Sequence, residues 1–76
     1  MPVFYFDLEI DQHVTRDTIG AEVEACDMPL EAAAVVASYV RDLLPVRPFR
    51  LYACEVRDET GRPCHRAEVQ FRAFPL

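Results

Sequence analysis

The sequence predicts an α+β fold of order ββαββ, a four-stranded, mainly antiparallel sheet with one helix packed on one face. Three observations carry it. Residues 27–45 hold apolar side chains at helical spacing around four alanines, whereas residues 3–10 alternate, and residues 49–56 run apolar, in the manner of strands. Turn signals at Asp11-Gln12 and Asp58-Glu59-Thr60-Gly61 then fold each flank of the helix into a hairpin.

The first strand starts at Val3, with Phe4, Phe6, Leu8 and Ile10 on one face and Val3, Tyr5, Asp7 and Glu9 on the other. Asp11-Gln12 turns the chain without a glycine into a short, polar second strand, His13 to Arg16. Asp17-Thr18-Ile19-Gly20 reads as a turn in which Gly20 supplies a positive φ, and Val23 is the core anchor of the segment entering the helix. Asp27 is placed to cap that helix, Pro29 sits in a first turn that needs no N–H from it, and Pro45 ends it. Wound at 3.6 residues per turn, Ala33, Val36, Ala37, Val40, Leu43 and Leu44 face inward, Glu31, Ser38 and Asp42 face out, and Val35 lies nearer the polar side.

Val46-Arg47-Pro48 is a stiff connector. The third strand, Phe49 to Val56, is apolar on both faces; the fourth is Cys64 to Phe71. A four-residue loop with Gly61 left-handed sets Arg57 opposite Arg62 and Tyr52 opposite Ala67, so that Ala67, Val69 and Phe71 join Tyr52 and Cys54 on the core face. The first and third strands belong at the centre and the more polar second and fourth at the edges, which gives the order 2-1-3-4.

Seventy-six residues make a single domain, 1–76, and 51% hydrophobic content excludes a disordered tail. No segment approaches the eighteen apolar residues of a membrane span, and the N-terminus turns acidic without a positive n-region, so a cytoplasmic location is expected. Three cysteines, Cys26, Cys54 and Cys64, are an odd number without C-x-x-C spacing, which argues against a disulfide framework. All eight basic residues are Arg, and the charge is uneven: residues 1–46 carry nine acids against Arg16 and Arg41, residues 47–76 six Arg against four acids.

The opening Met1-Pro2-x-Phe4-Tyr5-Phe6-Asp7, the segment Asp17-x-x-Gly20-x-Glu22, the Ala-rich helix and Val56-Arg57-Asp58-Glu59-x-Gly61-Arg62-Pro63 resemble, in that order, a family of short bacterial proteins classed as a domain of unknown function. The chain departs from that pattern at Cys64, where an aliphatic residue is usual, and in lacking a glycine near residues 10–12. The resemblance implies no activity and no functional residue.

Chemistry-bearing residues are sparse. Cys54, Cys64, His13 and His65 are zinc-binding types, but they lack paired ligand spacing, and the neighbours Cys64 and His65 point to opposite faces of a strand. No catalytic residue, cofactor or metal is therefore expected, and a small thiol- or metal-dependent enzyme is the weakest alternative. Arg57, Arg62 and Arg66 near the second hairpin tip suggest a nucleic-acid-binding β-ribbon, but Glu55, Asp58 and Glu59 interleave with them and the chain carries −5. The reading that remains is a small non-catalytic protein-interaction or self-association module. Val3, Tyr5, Phe49, Leu51 and Ala53 fall on the sheet face away from the helix, and a homodimer through that face is expected unless the C-terminal Ala73-Phe74-Pro75-Leu76 covers it.

Overall fold

A computed structural model describes residues 1–42 and 49–76, without the side chain of Phe49. It has five strands and one helix: β1 (Val3–Ile10), β2 (His13–Thr15), β3 (Ala21–Glu22), α1 (Met28–Asp42), β4 (Phe49–Arg57) and β5 (Pro63–Arg72). The sheet runs β2-β1-β4-β5, every described pairing is antiparallel, and β3 pairs with the start of β1. The α+β class is as the sequence predicts. The strand count is corrected from four to five, because β3 is two residues long and too short to show a period.

The core lies between α1 and one sheet face, where Phe4, Met28, Ala32, Val36, Tyr52, Cys54 and Val56 are buried. Phe6, Ile10, Val23, Val35, Val40, Ala67 and Phe71 close around them. The expected strand faces and the anchoring role of Val23 therefore hold. The helix face is corrected: Ala33 and Ala37 are exposed, Ala32 is fully buried, and Val35 packs against the core. Three consecutive alanines give the helical wheel no contrast, so the sheet decides which one faces inward. The expected roles of Leu43, Leu44, Pro45 and the connector Val46-Arg47-Pro48 lie outside the described residues.

The first hairpin solves its missing glycine with side-chain tethers. Asp11 and Gln12 take φ of 48° and 75°, the two left-handed positions of a two-residue turn joining Ile10 to its partner His13. Asp11 Oδ1 accepts from the Leu51 N–H at 3.0 Å and Oδ2 from Arg50 Nε at 2.9 Å, while the Asp11 N–H donates to the Leu51 carbonyl at 3.0 Å. Three bonds to β4 hold a conformation that L-residues otherwise resist by roughly 1–2 kcal/mol each.

Gly61 is left-handed as expected, with φ 86°, but the register of the second hairpin is corrected. Arg57 lies opposite Pro63, Cys54 opposite Ala67 and Tyr52 opposite Val69. One residue of the shift comes from the turn, where the Asp58 N–H bonds the Arg62 carbonyl at 2.9 Å and closes a three-residue loop. The other comes from a bulge that leaves Cys64 as an extra residue between Pro63 and His65. A shift of two preserves the faces, so Ala67 and Phe71 still pack against the core despite the wrong register, whereas Val69, expected there too, is on the same face but exposed.

Candidate functional site

The sheet face away from α1 carries a network of ions. Register sets Tyr5 opposite Arg57 and Asp7 opposite Glu55, so the Arg57 side chain lies across both Tyr5 and Asp7. Its guanidinium carbon stands 5.0 Å from the Tyr5 ring centroid, its Nε is 2.6 Å from Asp7 Oδ2, and one Nη is 3.0 Å from Asp7 Oδ1 and 2.9 Å from the Asp17 carbonyl. Asp7, at 7% exposure, is the buried charged residue among the described residues.

Asp17 splices a gap in the ladder. Between β2 and β3 the chain leaves the edge of β1, and the Phe6 N–H donates to Asp17 Oδ2 at 3.1 Å. Asp17 Oδ1 accepts from the Ile19 and Gly20 N–H groups at 3.0 and 3.1 Å, and the Asp17 N–H donates to Asp7 Oδ1 at 2.9 Å. Gly20, at φ 79°, passes so close to β1 that a Cβ would stand 2.9 Å from Val3 Cγ1 and 3.0 Å from Tyr5 Cε1. The motif Asp17-x-x-Gly20 is thus a turn, as read, and also the clamp on Asp7, which the sequence reading missed. A carboxylate set between Phe6 and Leu8, well inside an otherwise apolar run, is the available signal.

These groups are fixed in charge. Burial works to raise the Asp7 and Asp17 pKa values, and the Arg57 contact to Asp7 and the N–H donors to Asp17 outweigh it, so both lie below the ordinary value of 3.8. Contact with Asp7 raises the Arg57 pKa further. The oxygens of Asp7 and Asp17 already accept hydrogen bonds, so neither carboxylate is poised to move a proton at neutral pH. Burial pushes the Cys54 thiol up to about 11, and burial and nearby Asp58 also raise that of Cys64, whose Sγ donates to the Val56 carbonyl at 3.4 Å. Among the described residues no three His, Cys, Asp or Glu side chains converge on a metal position. A hollow of about 240 Å³ beside the network is lined by Asp7, Glu9, Arg16, Glu55 and Arg57 together with Val14, Gly61 and Pro63.

The residues expected to form an apolar interface are spread along this face. Val3 and Tyr5 are half-buried together beside Gly20, Ala53 is fully buried opposite Glu9, and Leu51 is half-buried level with Asp11. Tyr5 is level with Arg57, six residues and about 20 Å along β4 from Leu51. Between them Arg66 reaches Glu9, Glu55 and Glu68 at 3.2, 3.3 and 3.4 Å. The side chain of Phe49 lies outside the described residues. Phe74 and Leu76 are exposed, so this part of the C-terminal tail does not cover the face.

Residues 3–70 match the family model described as a domain of unknown function, DUF6894. The chain belongs to that family. No curated protein and no solved structure matches it. Among the described residues of this DUF6894 chain no helix is long and apolar enough to cross a membrane.

The second feature of the DUF6894 chain is an open edge. β5 is ten residues long and, among the described residues, pairs only with β4. The direction of its free groups follows from the ladder. The Asp11 N–H bonds the Leu51 carbonyl, so Leu51, Ala53, Glu55 and Arg57 turn their backbone groups toward β1. Arg50, Tyr52, Cys54 and Val56 turn theirs to Phe71, Val69, Ala67 and His65. Arg66, Glu68, Gln70 and Arg72 therefore aim their N–H and C=O groups out of the sheet.

Proposed function

We propose that the chain is a small, non-catalytic protein-interaction module whose docking element is the open edge of β5. The observation that carries this reading is the outward row of backbone donors and acceptors at Arg66, Glu68, Gln70 and Arg72, ready to receive an extended strand. Natural edges are blunted by charge, lysine above all, by internal proline, by β-bulges or by shortness; β5 has no Lys, confines Pro63 and the Cys64 bulge to its start, and beyond them runs regularly from Arg66 to Arg72 with charges of both signs. The ionic face is a weaker candidate, because Arg57 is already paired with Asp7 and the Asp17 carbonyl, and Arg66 with Glu9 and Glu55. The same saturation argues against nucleic acid, since Arg57 and Arg66 are neutralised within the chain. It argues against catalysis too: Asp7 and Asp17 lie below the ordinary carboxylate value, and the Cys54 and Cys64 thiols above theirs.

Gln70→Pro tests the reading, since its lost N–H points outward and the β4 ladder keeps its bonds. In an extract of the cells that make it, the epitope-tagged wild-type chain is expected to elute in a complex larger than its monomer, and the proline variant as a monomer. Elution of both as monomers overturns the reading.

A further inference from the structure

Resting on that reading, we infer that the strand received by β5 is the β5 of a second copy, paired antiparallel about a two-fold axis through Gln70. A two-fold normal to a sheet keeps each side chain on its own face, so the pairing must set some residue of β5 opposite its own copy. The choice of that residue is decided by charge. Centring on Arg66, Glu68 or Arg72 opposes like charges directly, and centring on Val69 sets Arg66 against the partner's Arg72. Centring on Ala67 sets Arg66 against the partner's Glu68, but Arg66 already has Glu9, Glu55 and Glu68 around it, and Arg72 then runs past the end of the partner's β5. Centring on Phe71 leaves Glu68 without a cation opposite.

The Gln70 centre meets every condition. It brings Glu68, from the acid-rich cluster around Arg66, against the partner's Arg72, whose own described contact is the Phe74 ring at 5.9 Å. On the helix side it pairs Val69, 40% exposed, with the partner's Phe71. Glu68, Gln70 and Arg72 all carry outward backbone groups, so each falls at a hydrogen-bonded position of the new ladder. The two sheets join into one continuous sheet with both helices on the same side, and the free β5 edges disappear.

Sedimentation of the purified chain and a charge exchange test this. Wild-type protein at about 100 μM is expected at twice the mass of its 8.7 kDa chain. Glu68→Arg and Arg72→Glu each place two like-charge pairs about the axis and should weaken the dimer by about tenfold or more. The double variant Glu68→Arg/Arg72→Glu restores opposite charges and should recover wild-type affinity to within about threefold. Gln70→Pro should be a folded monomer. A wild-type monomer at that concentration overturns the second copy as partner, whereas the reading of β5 as a docking edge stands or falls on the cell extract. Single variants that weaken the dimer without recovery in the double variant overturn the Gln70 register, and recovery by Glu68→Arg/Arg66→Glu instead would move the axis to Ala67.

Discussion

Gly20→Ala and Gly61→Ala form a pair in which backbone strain is common and crowding is not. Both glycines have positive φ, 79° and 86°, so each substitution costs about 1 kcal/mol for holding an L-residue left-handed. At Gly61 nothing lies within 4 Å of the new Cβ, and the cost ends there. At Gly20 the Cβ stands 2.9 Å from Val3 Cγ1 and 3.0 and 3.2 Å from the Tyr5 ring. Neither neighbour yields easily, because Val is branched at Cβ and the Tyr5 ring lies under Arg57. Overpacking of this kind adds about 1–3 kcal/mol, which brings Gly20→Ala to about 2–4 kcal/mol. A chain of this length has about 4–11 kcal/mol in total, so the loss is a large share of it. Urea unfolding followed by circular dichroism reads both variants, with a lowered midpoint at unchanged slope as the expected form. Equal midpoints for the two would refute the close approach of the loop to β1.

The Asp7 and Asp17 pKa values lie below 3.8 in the folded state, so the unfolded chain binds more protons as the medium turns acid. Their contribution is complete above about pH 4–5 and is lost as pH falls through the folded values; urea midpoints should drop below about pH 4, and less steeply in Asp7→Asn. A thiol reagent should label exposed Cys26 and Cys64 in the native protein but reach buried Cys54 only on unfolding, and mass spectrometry of the digested protein reads the order. Ala33→Lys and Ala37→Lys should leave the urea midpoint within about 0.5 kcal/mol of wild type, while Val36→Asp should unfold the chain, since Val36 is 1% exposed. Gln12→Gly should stabilise by up to about 1 kcal/mol by relieving a φ of 75°, visible as a raised midpoint.

What the sequence disclosed was what short-range physics decides. Alternation in β1 follows from the pleat, and Gly20 and Gly61 mark left-handed positions because a Cβ makes that conformation costly for other residues. Where the deciding contact is remote, the sequence was silent. The inward turn of Ala32 rather than Ala33 depends on the sheet beneath, and the bulge at Cys64 on how β4 and β5 fit once paired. Asp7 looked like one more polar residue of an outer face because Arg57 lies 50 positions away. The open edge is legible in part: its polarity puts the fourth strand at a border, but which of its amides face outward depends on the register.

The pairing of β1 with β4 also governs when the chain can fold. Tyr5 meets Arg57 and Ile10 meets Tyr52, so the central ladder joins segments 42 to 52 residues apart, with α1 between them. As the chain is made, residues 1–42 emerge with Phe4, Leu8 and Val36 facing a layer whose other half, Tyr52, Cys54 and Val56, has yet to be synthesised. The β4–β5 hairpin, closed by a three-residue loop, is local and needs no such wait. β1 therefore has no central partner until β4 has been made, and the pair farthest apart in sequence, Tyr5 and Arg57, carries the largest loop-closure cost of that ladder.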